Sequence, residues 1–409
     1  MSGASDLFEE PAGIEPIRQF LVGAALEGMV PERVVEGFCR RLHGLGVPID
    51  RVYVGLSTLH PQIRALGVTW FAVRGIVDSD SYKYSSDSGW WQRSPFFHMI
   101  ANRQPEMRRR LAGPEAKHDF AVLREYADAG FNDWLALIFN FGSLSGGHSL
   151  GEIGLVSSWM TSRREGFSPS DLAVLRSLVP QLAACLKVIT LSGMTVTLLA
   201  TYIGADAAAH VLAGDIRRGS VQRLRAAILF ADLRGFTALA DRLSSEQSVA
   251  VLDRYLDCLG PPLTAAGGQI LKFIGDGLLA SFDFAGADEA IICDRALKAA
   301  IAAQQAVSDL NAARAQAGEP VLALDIALHC GEVAYGNVGT AERLDFTVIG
   351  PAVNEAARIE ALCSHFDERI LASRAFRDCA GTMGRRLVSL GRHGLRGVAA
   401  PMEIFALRG

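Results

Sequence analysis

The stretch LKFIGDGLLASF, residues 271–282, is mostly apolar but contains Lys272 and Asp276, with a glycine on each side of the aspartate. Two apolar runs around a Gly-Asp-Gly turn predict a β-hairpin with Asp276 at its tip. An unpaired carboxylate beside a dry core is costly unless it is paired or binds a metal ion. Upstream, AAILFADLRGFT (226–237) places Asp232 at the end of another apolar strand. Two acids at strand ends therefore indicate one shared cation site.

The residues after Asp232 are suited to anion binding. In LRGFT, the segment Gly235, Phe236 and Thr237 begins a predicted helix, whose first backbone N–H groups would face an anion. Mg²⁺ typically takes one or two carboxylates together with substrate phosphate oxygens. Two such ions about 3.5–4 Å apart can hold the attacking and leaving oxygens of an in-line displacement. The alternative is that Asp232 caps the helix and Asp276 is a turn residue; it is favoured for either motif alone but not for both together.

A third motif is DFTVIGPAVNEAARIE, residues 345–360. Asn354 and Arg358 are four residues apart, so on a helix they share one face. A guanidinium can neutralise charge that develops on a phosphate, while an amide orients a neighbouring oxygen. A solvent-exposed helix face with an incidental arginine is the alternative for this pair alone.

Composition limits the possible functions. The chain has 409 residues, half of them hydrophobic, which is enough for two or three domains with their own cores. A net charge of −4 argues against a nucleic-acid backbone as the main partner. The seven cysteines include no C-x-x-C pair, which indicates reduced thiols and no zinc site.

Two segments bear on localisation. The N-terminus, MSGASDLFEEPAG, is acidic and polar, unlike a secretory signal. VITLSGMTVTLLATYIG (188–204) has only ten apolar residues among its seventeen, whereas a spanning helix needs about 20 predominantly apolar residues. We therefore predict a buried or self-associating helix, no transmembrane segment and a cytoplasmic protein.

The first part of the chain is predicted to be α+β. All five tryptophans precede residue 160, which suggests a domain boundary in the second third. Predicted strands at 50–59 and 65–73 flank a His60-Pro61 turn, and strands at 133–141 and 152–160 flank the Gly/Ser-rich loop 142–151. RRRL at 108–111 is expected to be a solvated helix face.

The first part ends in FSPSDLAVLRSLVPQLAACL (167–186), a predicted helix with Ser168 as its N-cap. Helices at both ends of an antiparallel sheet, with this last helix, resemble a GAF-type sensor domain. The resemblance implies a GAF-like domain over residues 1–188, which would receive an unknown small-molecule or protein input. Residues 189–222 are then a helical connector. Residues 223–409 are predicted to form an α/β sandwich with one mainly antiparallel sheet.

The three motifs ILFADLRGFT, LKFIGDGLLASF and TVIGPAVNEAARIE, in this order and spacing, resemble the catalytic domain of class III nucleotidyl cyclases. The resemblance covers roughly residues 223–409. It implies that Asp232 and Asp276 bind two Mg²⁺ or Mn²⁺ ions per active site, with the Leu233 carbonyl as a further ligand. It also implies that Asn354 and Arg358 stabilise the transition state.

The same resemblance assigns substrate contacts. Lys272 matches the lysine that recognises the purine, Thr347 stands at the second base-reading position, and Arg396 lies near the position of a triphosphate-binding base. A Lys donates only and a Thr hydroxyl can accept, which fits the pairing edge of adenine. Guanine would call for an acid near Lys272, and none is apparent in the sequence. ATP is therefore the expected substrate and cyclic AMP the expected product.

In this family the site lies between two chains, so the resemblance implies a homodimer with two active sites at its interface. One chain would supply the metal-binding acids and the other the base-reading and transition-state residues. Two alternatives stay open: a guanylate cyclase, and a catalytically silent nucleotide-binding regulatory module.

Overall fold

The computed structural model describes residues 13–58, 63–83, 89–142 and 154–408. The His60-Pro61 turn, residues 143–151 of the Gly/Ser-rich loop and the first 12 residues lie outside this range. The chain divides into two compact units, Met1–Leu198 and Leu199–Gly409, which are described separately. The proposed domain boundaries at residues 188 and 222 stay predictions.

The first unit contains a six-stranded antiparallel sheet in the order β3-β2-β1-β6-β5-β4. Its strands are β1 (Arg51–Ser57), β2 (Ile63–Phe71), β3 (Gly75–Lys83), β4 (Glu106–Arg110), β5 (Asp133–Asn140) and β6 (Gly154–Thr161). Its helices are α1 (Glu15–Glu27), α2 (Pro31–Gly44), α3 (Gly89–Gln92), α4 (Pro95–Ala101), α5 (Ala121–Asp128) and α6 (Pro169–Ile203).

Apolar side chains fill both faces of this sheet. On one face Val52, Val54 and Trp159 join the buried residues of α1, α2 and α6 in one core. On the other, Trp134 and Met160 pack with residues of α4 and α5 in a second cluster. The strands therefore bury side chains on both faces, as the alternation along β1 requires.

The long helix α6 begins at the predicted cap and continues beyond the predicted sensor domain. Ser168 Oγ accepts from the Asp171 N–H at 3.2 Å, and Asp171 Oδ2 accepts from the Ser168 N–H at 2.7 Å. The helix then passes through Pro180 to Ile203 without a break. By length and composition alone α6 could cross a membrane, and a third of its most apolar window is buried. This is weak evidence, because a core helix of a soluble protein passes the same test.

The prediction for residues 108–111 is wrong, because these arginines belong mainly to strand β4 rather than to a helix. Arg108 Nη2 donates to Asp133 Oδ2 at 2.6 Å, and Arg110 Nη1 lies 3.5 Å from the same oxygen. Asp133 is fully buried and also accepts from the Phe167 N–H at 2.9 Å. The arginines therefore compensate a buried charge, and their contacts reach the segment that leads into α6.

The second unit contains an eight-stranded sheet in the order β13-β14-β12-β10-β7-β9-β8, with β11 paired to β10. Its strands are β7 (Val221–Arg234), β8 (Gln269–Ile274), β9 (Gly277–Asp283), β10 (Ala323–Gly339), β11 (Leu344–Ile349), β12 (Ile370–Ser373), β13 (Leu387–His393) and β14 (Met402–Leu407). Its helices are α7 (Ala205–Leu212), α8 (Phe236–Ala240), α9 (Ser245–Ala265), α10 (Glu289–Gln316), α11 (Pro351–Glu360), α12 (Cys363–Phe366) and α13 (Arg374–Cys379), with a 3₁₀ turn at Met383–Arg386.

This sheet is antiparallel except where β10 and β12 run parallel, so the predicted mainly antiparallel sandwich is confirmed. Helices α9 and α10 cover one face and bury Tyr255, Leu259 and Leu297 among others. Helix α11 and strand β11 contribute to a separate core that includes Ile228 and Val333. Ser244 caps α9 in a complete capping box with Gln247.

Candidate active site

The hairpin β8–β9 brings Asp276 to the end of β7, where Asp232 lies. Gly277, the residue after Asp276, packs directly against β7: a Cβ there would lie 2.4 Å from the Ala231 carbonyl oxygen and 2.9 Å from Asp232 Oδ1. Only a residue without a side chain allows this approach. The two predicted acids therefore meet, although 43 residues separate them in the sequence.

The proximity of these acids has an electrostatic consequence. Burial raises the pKa of Asp232, and the negative charges of Asp276 and Asp325 raise it further. A hydrogen bond from the Leu233 backbone N–H opposes this shift. Among the described residues, no basic side chain forms an ion pair with Asp232 or Asp276. A cation at this position would relieve the repulsion between them.

Asp325, a third acid in the same region, has its charge neutralised by arginines. It pairs with Asp232 across the β10–β7 ladder and is 2% exposed. Arg234 donates to both of its oxygens, at 2.7 and 2.9 Å, and Arg369 donates at 3.1 Å. The two predicted metal ligands lack such partners, so their charge is available to a ligand.

The donor set fits a hard divalent cation. Carboxylate oxygens suit Mg²⁺, which also keeps waters and takes substrate phosphate oxygens. Within the described parts of the chain, no three His, Cys, Asp or Glu side chains converge as a metal site of their own. Leu233, the predicted backbone ligand, has a buried side chain in β7. An ion held by Asp232 and Asp276 would therefore take its remaining ligands from backbone, water and substrate.

Glu360, the last residue of α11, is a further carboxyl in this region that the sequence analysis did not identify. Burial first, and then the charges of Asp232, Asp325 and Asp276, raise its pKa to about 7, against the opposing effect of Arg234. The only sequence signal was its position at the end of the third motif.

The predicted anion-binding loop has the expected backbone. Gly235 has φ of +91°, which favours glycine, and α8 begins at Phe236. Phe236 is half-buried, whereas Gly235 and Thr237 are exposed. Phosphate binding by these N–H groups stays a prediction.

Lys272 lies beside an acid, contrary to the expectation from the sequence. Its Nζ forms an ion pair with Asp345 Oδ2, and both side chains are about half exposed. Asp345 and Thr347 are two residues apart on β11, so they share one face of that strand. The strands β8 and β11 thus bring Lys272, Asp345 and Thr347 together. The argument that no acid stands near Lys272 is therefore wrong.

Asn354 and Arg358 project from the exposed face of α11, as their spacing predicts. The opposite face buries Ala352, Ala356 and Ile359. Neither the Asn354 nor the Arg358 side chain forms a hydrogen bond or ion pair with another described residue, so no ion pair joins Arg358 to Asp232 within the described parts of one chain.

A buried histidine fastens α11 to β10. His329 Nε2 lies 2.9 Å from Glu355 Oε2, and its Nδ1 lies 2.8 Å from Ser373 Oγ. Because the Glu355 carboxylate can only accept, the neutral ring donates its Nε2–H to Glu355, and its Nδ1 accepts from the Ser373 hydroxyl. The Ser373 oxygen also accepts from the Phe376 N–H at 3.1 Å. Burial lowers the pKa of His329 to about 4, which keeps the ring neutral.

The same helix approaches β10 closely one turn earlier. A Cβ at Gly331 would lie 2.6 Å from the Ala352 Cβ, so the glycine lets α11 lie against the strand. His329 is an interior residue, 4% exposed. Its bond to Glu355, the neighbour of Asn354, was not foreseen, because the two residues are distant in sequence.

Arg396 does not lie near Asp232 and Asp276 of its own chain. It is exposed in the connection between β13 and β14, the strands at the opposite edge of the sheet from β8. Its predicted triphosphate contact stays a prediction.

The second unit is similar to proteins of known family. Residues 221–409 match the family described as the adenylate and guanylate cyclase catalytic domain. An adenylate cyclase of Anabaena cylindrica is 39% identical over 161 residues, or 38% of this chain and 31% of that protein. Adenylate cyclase 1 of Rhizobium meliloti is 31% identical over 147 residues, or 36% and 22% of the two chains. The chain thus spans less than a third of the length of these curated relatives.

Solved structures of cyclases are also similar to part of this chain. The adenylyl cyclase CyaB from P. aeruginosa is 26% identical with a TM-score of 0.42, covering 46% of this chain and 96% of that one. The guanylyl cyclase Cya2 is 30% identical with a TM-score of 0.41, covering 46% and 94%.

The paired acids at the hairpin tip and the matched sequence family agree on one assignment. Residues 221–409 are a class III adenylate/guanylate cyclase catalytic domain.

Proposed function

We propose that the protein is an adenylate cyclase that converts ATP to 3′,5′-cyclic AMP and pyrophosphate. The observation that carries the proposal is the meeting of Asp232 and Asp276 without a basic partner among the described residues. The similarity to the adenylate cyclases of Anabaena cylindrica and Rhizobium meliloti supports the choice of reaction.

Each group has a role in this reaction. Asp232 and Asp276 would hold divalent cations, Mg²⁺ or Mn²⁺ and two per site. The ions, when bound, would lower the pKa of the ribose 3′-hydroxyl and offset phosphate charge. Arg358 would donate to the oxygens of the α-phosphate as negative charge develops there, and Asn354 would orient the ribose. Little protein acid–base chemistry is needed, since positioning and charge stabilisation dominate at phosphorus.

We further propose that the site is completed by a second copy of the chain. On the exposed face of α11, the side chains of Arg358 and Asn354 have no hydrogen-bond or ion-pair partner among the described residues of their own chain. Beside Lys272 and Thr347, the side chains of Phe273, Ile274 and Ile349 are 55%, 44% and 46% exposed. Exposed apolar groups close together mark a surface that another protein covers. A homodimer with two shared sites would bury them.

Complementation tests the shared site. Asp276→Asn and Asn354→Ala should each abolish activity, because each removes a group from both sites of its homodimer. Mixing the two variants should restore activity, because the heterodimer rebuilds one intact site. Absence of recovery, despite subunit exchange shown by native mass spectrometry, would refute the shared site. Absence of any product from the unmodified chain with Mg²⁺ or Mn²⁺ would favour the silent nucleotide-binding module.

A guanylate cyclase is the second candidate, and the Lys272–Asp345 pair is the observation that favours it. With adenine, Lys272 would donate to N1 and Asp345 or Thr347 would accept from the N6 amine. With guanine, Lys272 would donate to O6 and Asp345 would accept from N1–H. Competition between ATP and GTP decides between them. Asp345→Asn should change the ratio of the two kcat/KM values if this acid reads the base, and leave it unchanged if it does not.

We also propose that the first unit is a GAF-like sensor of a cytoplasmic protein. Its antiparallel sheet with apolar cores on both faces supports this, and the unbroken helix α6 is suited to transmit a signal. Native mass spectrometry of the full chain should reveal a retained small molecule if the input is one. Replacing residues 189–204 by a flexible linker should change basal activity; an unchanged rate would refute regulation through this helix.

A further inference from the structure

Among the described strands, β11 pairs with β10 alone. Together they form a two-stranded arm, in which Asn337 of β10 lies opposite Phe346 of β11. Residues opposite each other in antiparallel strands share a face of the sheet, and neighbours along one strand point to opposite faces. Asp345 and Thr347 therefore lie on one face of the arm, and Phe346 lies on the other face with Asn337.

Helix α7 covers the face of the arm that carries Phe346. The His210 ring stacks on the Phe346 ring, with centroids 5.3 Å apart and 22° between the ring planes. Tyr335 of β10 meets the same phenylalanine ring edge-on at 4.7 Å, and its hydroxyl donates to Asp206 Oδ2 at 2.5 Å. Asp206 and His210, one helical turn apart on α7, thus contact both strands of the arm.

The segment that follows α7 binds the histidine and β10. His210 Nδ1 donates to Asp215 Oδ2 at 2.8 Å, and the Asp215 carbonyl oxygen accepts from the side-chain amide of Asn337. Asn337 is 3% exposed. Its carbonyl accepts from the Gly219 N–H at 2.9 Å, and its own N–H donates to the Ser220 carbonyl at 3.0 Å. The segment therefore ties α7 to the strand beside β11.

We propose that His210 and Tyr335 are positioning residues for base recognition. Both hold Phe346, which is the residue between Asp345 and Thr347. Rotation of β11 about its own axis would redirect the side chains of both neighbours, and the packed ring opposes that rotation. Discrimination between purines depends on this alignment, because a misaligned group leaves a buried polar atom unpaired. The inference rests on the proposed function, since it requires that β11 reads the base.

Two substitutions of His210 separate its ring contact from its hydrogen bond. His210→Ala removes both, and alanine, as the strongest helix former, leaves α7 intact. His210→Phe keeps an aromatic ring against Phe346 but cannot donate to Asp215. Tyr335→Phe removes only the hydroxyl that donates to Asp206, so it gives the same test should His210→Ala fail to fold.

His393→Ala is the matched control. His393 is also half-buried, and its ring meets the Phe366 ring edge-on at 4.7 Å. It lies on β13, at the opposite edge of the sheet from β8. Its substitution therefore removes a similar aromatic contact from the same unit without touching the arm.

Hydrogen exchange of the full chain, without nucleotide or metal, tests the positioning step. The amides of residues 344–349 should exchange about threefold to tenfold faster in His210→Ala, which is the effect expected for loss of one aromatic pair. His210→Phe should stay near the unmodified rate, and His393→Ala should leave this segment unchanged. Unchanged exchange of β11 in His210→Ala would overturn the proposal.

Binding of non-cyclisable ATP and GTP analogues tests the specificity step. In His210→Ala the ratio of the two dissociation constants should move toward one by about threefold or more, and in His393→Ala it should not change. A ratio of one already in the unmodified chain, or an unchanged ratio in His210→Ala, would overturn the role in base recognition. Neither measurement needs turnover. Absence of product from the unmodified chain would therefore count against the proposed function, while exchange and binding still decide the role of His210.

Discussion

Substitutions of the two glycines that flank Asp276 test whether the close packing of the hairpin on β7 positions Asp276. Gly277→Ala places a Cβ 2.4 Å from the Ala231 carbonyl oxygen, a backbone atom that cannot rotate away. Restoring an ordinary contact of about 3.5 Å requires the hairpin and β7 to separate by about 1 Å. A displacement of this size costs about 100-fold in rate when it misplaces a catalytic group, and overpacking costs about 1–3 kcal/mol of stability.

Gly275→Ala is the matched control. Gly275 has φ of +63°, so an alanine is strained there by about 1–2 kcal/mol, but its Cβ would meet nothing within 4 Å. The two variants should therefore lose similar stability while differing in activity. Gly277→Ala should lose about 100-fold in kcat and require more Mg²⁺ for half-maximal rate, whereas Gly275→Ala should stay within a fewfold.

The assay is cyclic AMP formation over a Mg²⁺ titration, with thermal unfolding of each variant measured in parallel. Equal losses of activity in both variants would show that the hairpin acts only through stability. Activity of Gly277→Ala at the unmodified level would refute the close packing of the hairpin on Asp232.

Three further predictions concern other parts of the chain. His329→Gln should lower kcat about tenfold with little change in the KM for ATP, because the substitution removes the His329–Glu355 contact that holds α11 next to Asn354. Restoration of the unmodified rate by imidazole would contradict a role in positioning. Burial and nearby acids raise the folded-state pKa of Glu360 to about 7. Between the ordinary pKa of a glutamate and pH 7, the folded chain therefore binds more protons than the unfolded chain. The unfolding temperature without metal should fall as pH rises through this window. Glu360→Gln should flatten that fall, and an equally steep fall would contradict the assignment. Asp133→Asn should destabilise the first unit by about 3–5 kcal/mol, because Arg108 loses its buried counter-charge; a change below about 1 kcal/mol by denaturant titration would refute the importance of the pair.

Local patterns were sufficient for the hairpin, for α11 and for the cap of α6. In each case the signal lies within one element: a Gly-Asp-Gly turn, a four-residue spacing, or Ser168 followed by Asp171. The proximity of Asp232 and Asp276 was also predictable. Burying an unpaired carboxylate is costly, and one shared cation accounts for both acids.

Other contacts between distant segments were not predictable. Lys272 and Asp345 are joined because β11 lies beside β8, an arrangement that no local pattern encodes. The arginines of β4 lack any period that marks a strand, and Arg108 and Arg110 bind Asp133, which follows 25 and 23 residues later. Glu360 and the His329–Glu355 bond were missed for the same reason. Each of these residues acquires its role from a neighbour that only the fold supplies.

The measurement that tests the account most directly is binding of Mn²⁺ to the full chain with a non-cyclisable ATP analogue, followed by calorimetry. Asp232→Asn and Asp276→Asn should each abolish or weaken binding at least tenfold, whereas Asp325→Asn, at an acid already neutralised by Arg234 and Arg369, should have a smaller effect on affinity. Unchanged Mn²⁺ affinity in both of the first two variants would contradict the claim that these aspartates jointly hold the cation.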